Sequence, residues 1–269
     1  MYESYYGFNC PPFSKTPDPK FLYRSKEHAE ALERLKYAVE ERELTVLTGD
    51  IGTGKTTLSR ALIDSLDDSY KVALIINPRL TPAQLLRVIA RRLGVESPSY
   101  WKNELLDQIN QFLYQLYEQG GTAVIIFDEA QLIPSKGTFE EIRLLSNFQL
   151  DDKNLLSLIL IGQTGLRKRL RHRTYTALRQ RIGIQFHLGP LSIKEAKEYI
   201  NFRLKVAGRD GALFSEGALE MIYKYSQGLP RSINNIASNA LLEGYGLEAE
   251  QIDERIIDDV VRELELALQ

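Results

Sequence analysis

The sequence has few of the residues that build disulfide or metal frameworks. Its one cysteine, Cys10, excludes an internal disulfide and fits a reducing compartment. The three histidines, His28, His172 and His187, stand far apart in the chain, and none has the spacing of a metal site. We therefore expect neither a disulfide-stapled fold nor a histidine-cysteine metal centre.

Long apolar runs and an excess of one charge are also missing. No apolar run approaches the about 18 residues that a membrane helix needs, and the N-terminus carries Glu3 where a signal peptide would be basic and then apolar. The 34 Lys and Arg nearly balance the 36 Asp and Glu, so the net charge is −2 and gives no global attraction to nucleic acid. A cytoplasmic protein is predicted.

The length and composition are those of a globular protein. With 269 residues, 43% of them hydrophobic, the chain can form one α/β domain, alone or with a smaller appendage.

A phosphate-binding pattern stands at residues 49–57. The template G-x-x-x-x-G-K-[ST] is met by Gly49, Gly54, Lys55 and Thr56, after an apolar run at 44–48 and before a helical pattern. Backbone N–H groups of such a loop surround phosphate oxygens, Lys55 reaches the β- and γ-phosphates, and the Thr56 hydroxyl ligates Mg²⁺. The pattern predicts ATP or GTP binding; the alternative is a chance glycine-rich turn. The residues of this Walker A loop are Gly49, Asp50, Ile51, Gly52, Thr53, Gly54, Lys55, Thr56 and Thr57.

A pair of carboxylates follows the most apolar predicted strand. Residues 122–127 form an uninterrupted apolar run, typical of a strand buried on both faces, and Asp128 and Glu129 come directly after it. This Walker B pattern predicts that Asp128 holds Mg²⁺ and that Glu129 orients and deprotonates the attacking water. The alternative is that the carboxylates cap the next helix. Together with the Walker A loop, the pair predicts hydrolysis as well as binding.

Strand and helix patterns alternate and then give way to helices alone. After Pro190 the strand signals stop, and Ser192 and Glu195 form a capping box. We predict an α/β fold with a parallel sheet and flanking helices at residues 1–190, including an N-terminal segment 1–43 for the adenine pocket, and a small all-α lid at 191–269. The predicted strands are 44–48, 71–77, 122–127, 155–161 and 184–188.

Taken together, these motifs resemble the AAA+ ATPases, and more specifically the ExeA/GspA family of general-secretion ATPases. The resemblance covers nearly the whole chain. It includes the segments Tyr6-Gly7-Phe8, Pro12-Phe13, Thr16-Pro17-Asp18-Pro19, Phe21-Leu22-Tyr23, His28, Ala31-Leu32, Asn77-Pro78, Asp128-Glu129-Ala130-Gln131, Ile161-Gly162-Gln163 and Gly228-Leu229-Pro230-Arg231.

The resemblance implies further site residues. Gln163 corresponds to the sensor 1 residue near the γ-phosphate, and Asn77 to a polar switch that holds the catalytic glutamate aside. Arg231 corresponds to sensor 2, a lid arginine that touches the γ-phosphate. Arg181, with Arg179 as the close alternative, corresponds to the finger that completes a neighbour's site. Phe13 and Tyr23 are implied to line the adenine pocket. Each position also has an ordinary structural interpretation, as a turn residue, a surface charge or a core aromatic.

The resemblance also implies an oligomer that uses ATP turnover to assemble or remodel a protein partner, in type II secretion or pilus biogenesis. Such a protein is cytoplasmic or peripheral to the inner membrane. Relatives commonly continue into a membrane helix and a periplasmic peptidoglycan-binding region, which the 269 residues do not include.

A basic stretch opens a second interpretation. Cations in this stretch suit a phosphate backbone, and similar AAA+ proteins assist DNA transposition, so a DNA-binding regulator is the alternative function. A solvated helix face or a subunit interface would also use such residues. The cations are Arg167, Lys168, Arg169, Arg171 and Arg173.

Overall fold

The computed structural model describes residues 1–14, 18–150 and 153–266. Thr16 and Pro17, which belong to the family resemblance, lie outside the described residues, as do the last three residues of the predicted lid. The described chain packs into two compact units. One, the sheet unit, comprises Ala29–Asp50 and Leu58–Leu188; the other, the helical unit, comprises Met1–His28, Ile51–Thr57 and Gly189–Gln269.

A five-stranded parallel sheet forms the centre of the sheet unit, with the strand order β2-β3-β4-β1-β5. Every residue of β1, β3 and β4 is buried, as expected for strands covered on both faces. This confirms the predicted fold class. The strands are β1 (Leu44–Gly49), β2 (Tyr70–Ile76), β3 (Thr122–Asp128), β4 (Leu156–Gly162) and β5 (Ile182–Leu188).

The register brings the ends of the strands into line. Ile76 pairs with Asp128 between β2 and β3, and Thr48 pairs with Gly162 between β1 and β4. Because all strands are parallel, the residues that end or follow them meet at one edge of the sheet. We call this the carboxyl edge and the opposite one, where the strands begin, the amino edge. The carboxyl edge carries Gly49, Asn77, Asp128 and Gln163.

Helices connect the strands and cover the sheet. α4 begins with a capping box between Thr81 and Gln84 and ends at Leu93, followed by the C-cap Gly94, whose φ is +109°. Its buried leucines join the core around the sheet. The helices are α2 (Lys26–Glu40), α3 (Lys55–Asp64), α4 (Pro82–Leu93), α5 (Lys102–Glu118), α6 (Lys136–Leu145), α7 (Thr164–Arg171) and α8 (Thr176–Arg181).

The helical unit has a core of its own. The predicted Ser192–Glu195 capping box is present at the start of its first long helix, and buried aromatics from the N-terminal segment, Tyr6, Phe8 and Phe13, join its core. Residues 1–28 therefore pack with the helices after residue 189, whereas the sequence analysis groups them with the sheet. The division into functional domains stays a prediction. The helices are α1 (Tyr2–Tyr6), α9 (Ile193–Val206), α10 (Glu216–Ser226), α11 (Pro230–Gly246) and α12 (Glu254–Leu266).

Within residues 1–14, 18–150 and 153–266, no helix combines the length and the apolar character that crossing a membrane requires.

Candidate functional site

The Walker A loop connects β1 to α3. Its first residues stay with the sheet unit, where Thr164 Oγ donates a hydrogen bond of 2.6 Å to Asp50. Lys55 is the first residue of α3 and is only 7% exposed. A buried ammonium at a helix N-terminus needs anionic or hydrogen-bonded partners, because an isolated charge is costly to bury. The arrangement suits a phosphate group.

Gly52 allows Arg231 to approach the loop. The φ of Gly52 is +86°, and a Cβ atom there would stand 2.6 Å from the Cβ of Arg231. The Arg231 N–H donates to the Gly52 carbonyl over 3.1 Å, at the start of α11. Both residues belong to the helical unit. The structure thus brings Arg231 against the phosphate loop, while its predicted contact with a γ-phosphate stays a prediction.

His28 supports the same loop from another side. Its Nε2 lies 2.9 Å from the Thr53 carbonyl oxygen and its Nδ1 lies 2.7 Å from Ser25 Oγ. The side chain is 5% exposed, and burial lowers the pKa of His28, which favours the neutral ring. A neutral ring satisfies both contacts if Nε2–H donates to Thr53 and Nδ1 accepts from Ser25. Gly54, with a φ of +99°, leaves room for this ring, since a Cβ there would stand 3.0 Å from Nε2.

Asp128 and Glu129 occupy the carboxyl edge as predicted from the sequence. Asp128 ends β3, is 4% exposed, and accepts the N–H of Glu129 on Oδ1 over 2.9 Å. Glu129 has a φ of +55°, an uncommon conformation for a residue with a Cβ. Such conformations cost about 1–3 kcal/mol and cluster at functional sites. The backbone turns at Glu129, so the consecutive carboxylates of Asp128 and Glu129 make different contacts.

Two glutamine side chains hold the Glu129 carboxylate. Gln163 Nε2 donates to Glu129 Oε2 over 3.1 Å, and Gln131 Nε2 donates to the same oxygen. Gln131 Oε1 in turn accepts the backbone N–H of Gln163 over 2.9 Å. The structure therefore joins the predicted base and the predicted sensor 1 residue directly. The contribution of Gln131 could not be read from the sequence, where this residue stands only as part of the family motif.

Asn77 follows β2 at the same edge, with an exposed side chain and a φ of +60°. Its backbone carbonyl accepts the N–H of Arg79 over 2.9 Å. Among the hydrogen bonds of the described residues, none joins its side chain to Glu129. The predicted switch role of Asn77 stays a prediction.

The two aromatics implied for an adenine pocket lie in the helical unit. Phe13 is 3% exposed, and its ring packs edge-to-face against Phe214 at 6.1 Å. Tyr23 donates its hydroxyl to Glu198 over 2.5 Å and contacts the rings of Tyr199 and Phe202. Both side chains therefore have packing roles, and contact with adenine stays a prediction for each.

Arg181 and Arg179 are exposed at the end of α8. Arg179 donates to the Arg171 carbonyl over 2.9 Å. Arg181 directly precedes β5 and lines a pocket of about 280 Å³ with residues that begin strands, Leu44 and Leu156. It lies at the amino edge, whereas Glu129 and Gln163 lie at the carboxyl edge.

The basic stretch divides into two kinds of side chain. Arg169 is part of the packing: its guanidinium donates to the Ile133 carbonyl and lies 4.8 Å from the Phe139 ring centroid and 5.6 Å from that of Tyr175. The other cations of the stretch are exposed, namely Arg167, Lys168, Arg171 and Arg173.

Comparison with known proteins agrees with this geometry. Residues 38–170 match the family described as an AAA domain. General secretion pathway protein A of Aeromonas hydrophila is 39% identical over 255 residues, which are 94% of this chain and 46% of that protein. The chain thus spans about half the length of this relative.

Solved structures share the fold at lower identity. The Aeropyrum pernix ORC2 protein superposes with a TM-score of 0.67 at 17% identity, over 95% of this chain and 72% of that one. The Thermotoga maritima RuvB Holliday junction branch migration motor gives 0.59 at 23% identity, over 88% and 67% of the two chains. These similarities confirm the predicted AAA+ fold, and the AAA domain match agrees with the predicted ATPase class. The chain thus carries an AAA domain and is similar to general secretion pathway protein A along nearly all of its own length.

Proposed function

We propose that the chain hydrolyses ATP with Glu129 as the base that activates water. The observation that carries this proposal is the pair formed by Glu129 and Gln163 at the carboxyl edge, 3.1 Å apart. Both hydrogen bonds to the carboxylate reach Oε2, so Oε1 accepts none from the described residues. That oxygen is free to orient a water for attack on the γ-phosphate. We infer that Gln163, which is hydrogen-bonded to this carboxylate, contacts the same water or the phosphate.

The Walker A loop would hold the phosphates. Gly52 and Gly54 adopt positive φ, which aims consecutive N–H groups of such a loop toward an anion. Lys55 adds a buried positive charge at the start of α3, and Arg231 approaches the loop at Gly52. These features favour binding of a nucleoside triphosphate over binding of a neutral ligand.

Mg²⁺ fits the donor set that the sequence provides. Thr56 offers a hydroxyl and Asp128 a buried carboxylate, both oxygen ligands of the kind that this ion prefers. We infer that these two residues hold it. When bound, the ion neutralises charge on the phosphates.

Arg181 supports a shared active site in an oligomer. It precedes the first residue of β5, Ile182, which pairs with Leu44 at the start of β1. β1 has six residues, and a rise of about 3.3 Å per residue separates its ends by roughly 17 Å. The position of Arg181 at the amino edge thus favours action on a neighbouring copy over action on its own carboxyl edge. We infer that Arg181 is the finger that completes the neighbour's site, with Arg179 as the alternative.

We propose a role in type II secretion or pilus biogenesis, and the similarity to general secretion pathway protein A supports the secretion role. In this role ATP turnover would assemble or remodel a protein partner at the inner membrane. Because the chain spans 46% of that relative, the partner and the assembly belong to the proposal.

A DNA-binding regulator is the second candidate. No acidic residue occurs between positions 153 and 192, and the exposed cations Arg167, Lys168, Arg171 and Arg173 lie in this interval. Arg169 is engaged in packing, which reduces the available charge. This local excess of positive charge, in a chain of net charge −2, is the observation that favours binding of a polyanion such as DNA.

The first prediction separates nucleotide binding from chemistry. Glu129→Gln keeps the shape of the side chain but removes the base, so ATP should bind while hydrolysis falls about 100-fold or more. Lys55→Ala should weaken ATP binding at least about tenfold, because a charge-assisted contact is lost. Binding of a labelled ATP analogue and phosphate release measure the two effects. Undiminished affinity in folded Lys55→Ala, or full turnover in Glu129→Gln, contradicts the proposal.

The second prediction concerns the shared site. Arg181→Ala should retain ATP affinity and lose hydrolysis by about 1,000-fold or more, the usual effect of an arginine finger. Wild-type turnover per subunit should rise with protein concentration. Mixing Arg181→Ala with Glu129→Gln should recover part of the activity, because each subunit supplies what the other lacks. Concentration-independent turnover with no recovery at any mixing ratio would show that one chain contains the whole site.

A third prediction tests the support that His28 gives to the loop. His28→Ala leaves the Thr53 carbonyl without its ring partner, and a buried lost hydrogen bond costs about 1–3 kcal/mol. The KM for ATP should rise about tenfold, with a smaller change in kcat. His172→Ala, at an exposed position, is the matched control. An unchanged KM in the folded His28→Ala protein would remove the proposed support.

The fourth prediction decides between the two candidate functions. A DNA-binding regulator should retain labelled duplex in the presence of a non-hydrolysable ATP analogue, with an affinity that falls steeply with salt. Replacing Arg167, Lys168 and Arg171 by Ala removes three cations. The slope of the logarithm of the binding constant against the logarithm of the salt concentration should then become shallower by about three. Replacing the exposed Arg91 and Arg92 on α4 is the control. Absence of retention with and without the analogue eliminates the second candidate.

A further inference from the structure

We propose that Gln131 is a positioning residue for the catalytic step: it aligns Glu129 and couples that carboxylate to Gln163. This inference rests on the proposed role of Glu129 as the base. It is carried by three hydrogen bonds among these residues, two between side chains and one from the Gln163 backbone N–H, all within the sheet unit.

The amide of Gln131 is oriented from both of its ends. Its Oε1 accepts the Gln163 backbone N–H over 2.9 Å, so its Nε2 faces the Glu129 carboxylate and donates to it. If the amide were flipped, its Nε2 would face the Gln163 N–H, with two donors against each other. Its Oε1 would face the Glu129 carboxylate, with two acceptors against each other. The position therefore requires a side chain that accepts at one end and donates at the other.

The local backbone is built around this amide. Glu129, at a φ of +55°, is followed by a short 3₁₀ helix, Ala130–Leu132, closed by the Leu132 N–H on the Glu129 carbonyl at 2.8 Å. This turn places Gln131 beside the carboxylate two residues earlier. Gly162, the last residue of β4, leaves space for it, since a Cβ there would stand 2.9 Å from Gln131 Oε1.

The hydrogen bonds select one oxygen of the carboxylate. Both amides donate to Oε2, which fixes the plane of the carboxylate and leaves Oε1 without a donor among the described residues. A water bound at Oε1 is then oriented by a carboxylate that cannot rotate freely. A displacement of a reacting group by about 1 Å can lower the rate by up to about 100-fold, so the rate depends on holding the carboxylate in one orientation. Asn77 makes no hydrogen bond to this carboxylate in the described residues, so the glutamines alone supply the constraint.

Gln131→Ala and Gln131→Glu test the inference in the full chain. Gln131→Ala removes the donor and should lower kcat between about 10-fold and about 100-fold, with little change in the KM for ATP. Gln131→Glu keeps the shape of the side chain but places a second carboxylate against that of Glu129, and the two negative charges repel each other. It should therefore lower kcat further at neutral pH. Gln111→Ala, at an exposed position of α5, is the control for loss of a glutamine side chain. Far-UV circular dichroism and analogue binding verify that each variant folds.

The pH dependence provides a readout that a merely structural role would not move. Protonation of the new carboxyl group in Gln131→Glu restores a donor toward Glu129 and retains an acceptor for the Gln163 N–H. Its kcat relative to wild type should therefore rise as the pH falls from about 8 to about 6, whereas the relative kcat of Gln131→Ala should stay constant. A double variant with Gln163→Ala should lose less than the product of the single losses, because the two glutamines act on one oxygen.

Glu129→Gln distinguishes failure of this inference from failure of the proposed function. If Glu129→Gln abolishes turnover but both Gln131 variants hydrolyse ATP at the wild-type kcat, only the role of Gln131 is overturned. If Glu129→Gln turns over normally, the base assignment is wrong and the inference fails with it. A fall in kcat with parallel pH profiles for the two Gln131 variants would assign Gln131 to folding alone and overturn the inference.

Discussion

The parallel register of the buried strands is the constraint on which the active-site chemistry depends. β1, β3 and β4 are buried along their whole length, so a shift in register would push apolar residues past the end of the sheet or draw the polar residues that follow the strands into the buried interior. The register brings the end of β3 next to the end of β4, with Phe127 paired to Leu160. Glu129 and Gln163 then follow their strands at one edge, and their hydrogen bond needs no long side-chain reach.

Glycine is required in the phosphate loop for reasons that go beyond flexibility. Each of the two loop glycines with positive φ has a different neighbour: Gly52 adjoins Arg231, and Gly54 adjoins the ring of His28. A side chain at either position would displace a group that contacts the loop backbone. The conformation of the loop, the position of Arg231 and the buried ring of His28 therefore depend on one another within the helical unit.

The strands and the main motifs could be predicted from the sequence because their signals are local. The apolar runs locate β1, β3 and β4, and the spacing of the Walker A residues identifies the loop. β5 begins at Ile182, two residues before its prediction, because it is an edge strand whose alternating exposure and Gly183 interrupt the apolar run. What could not be predicted depends on distant partners: His28 meets Thr53 across 25 residues, and Gln131 meets Gln163 across 32.

The distribution of roles over the two edges of the sheet bears on why such a chain would act as an oligomer. The carboxyl edge carries carboxylates and amides, which can orient water and bind a cation, while the exposed arginine Arg181 lies at the amino edge. Phosphoryl transfer needs positive charge near the γ-phosphate in its transition state. If Arg181 completes a neighbour's site, as we propose, the chain would gain this cation on assembly, and catalysis and assembly would be coupled. Hydrolysis would then report that a neighbour is in place, which is the property that an assembly factor needs.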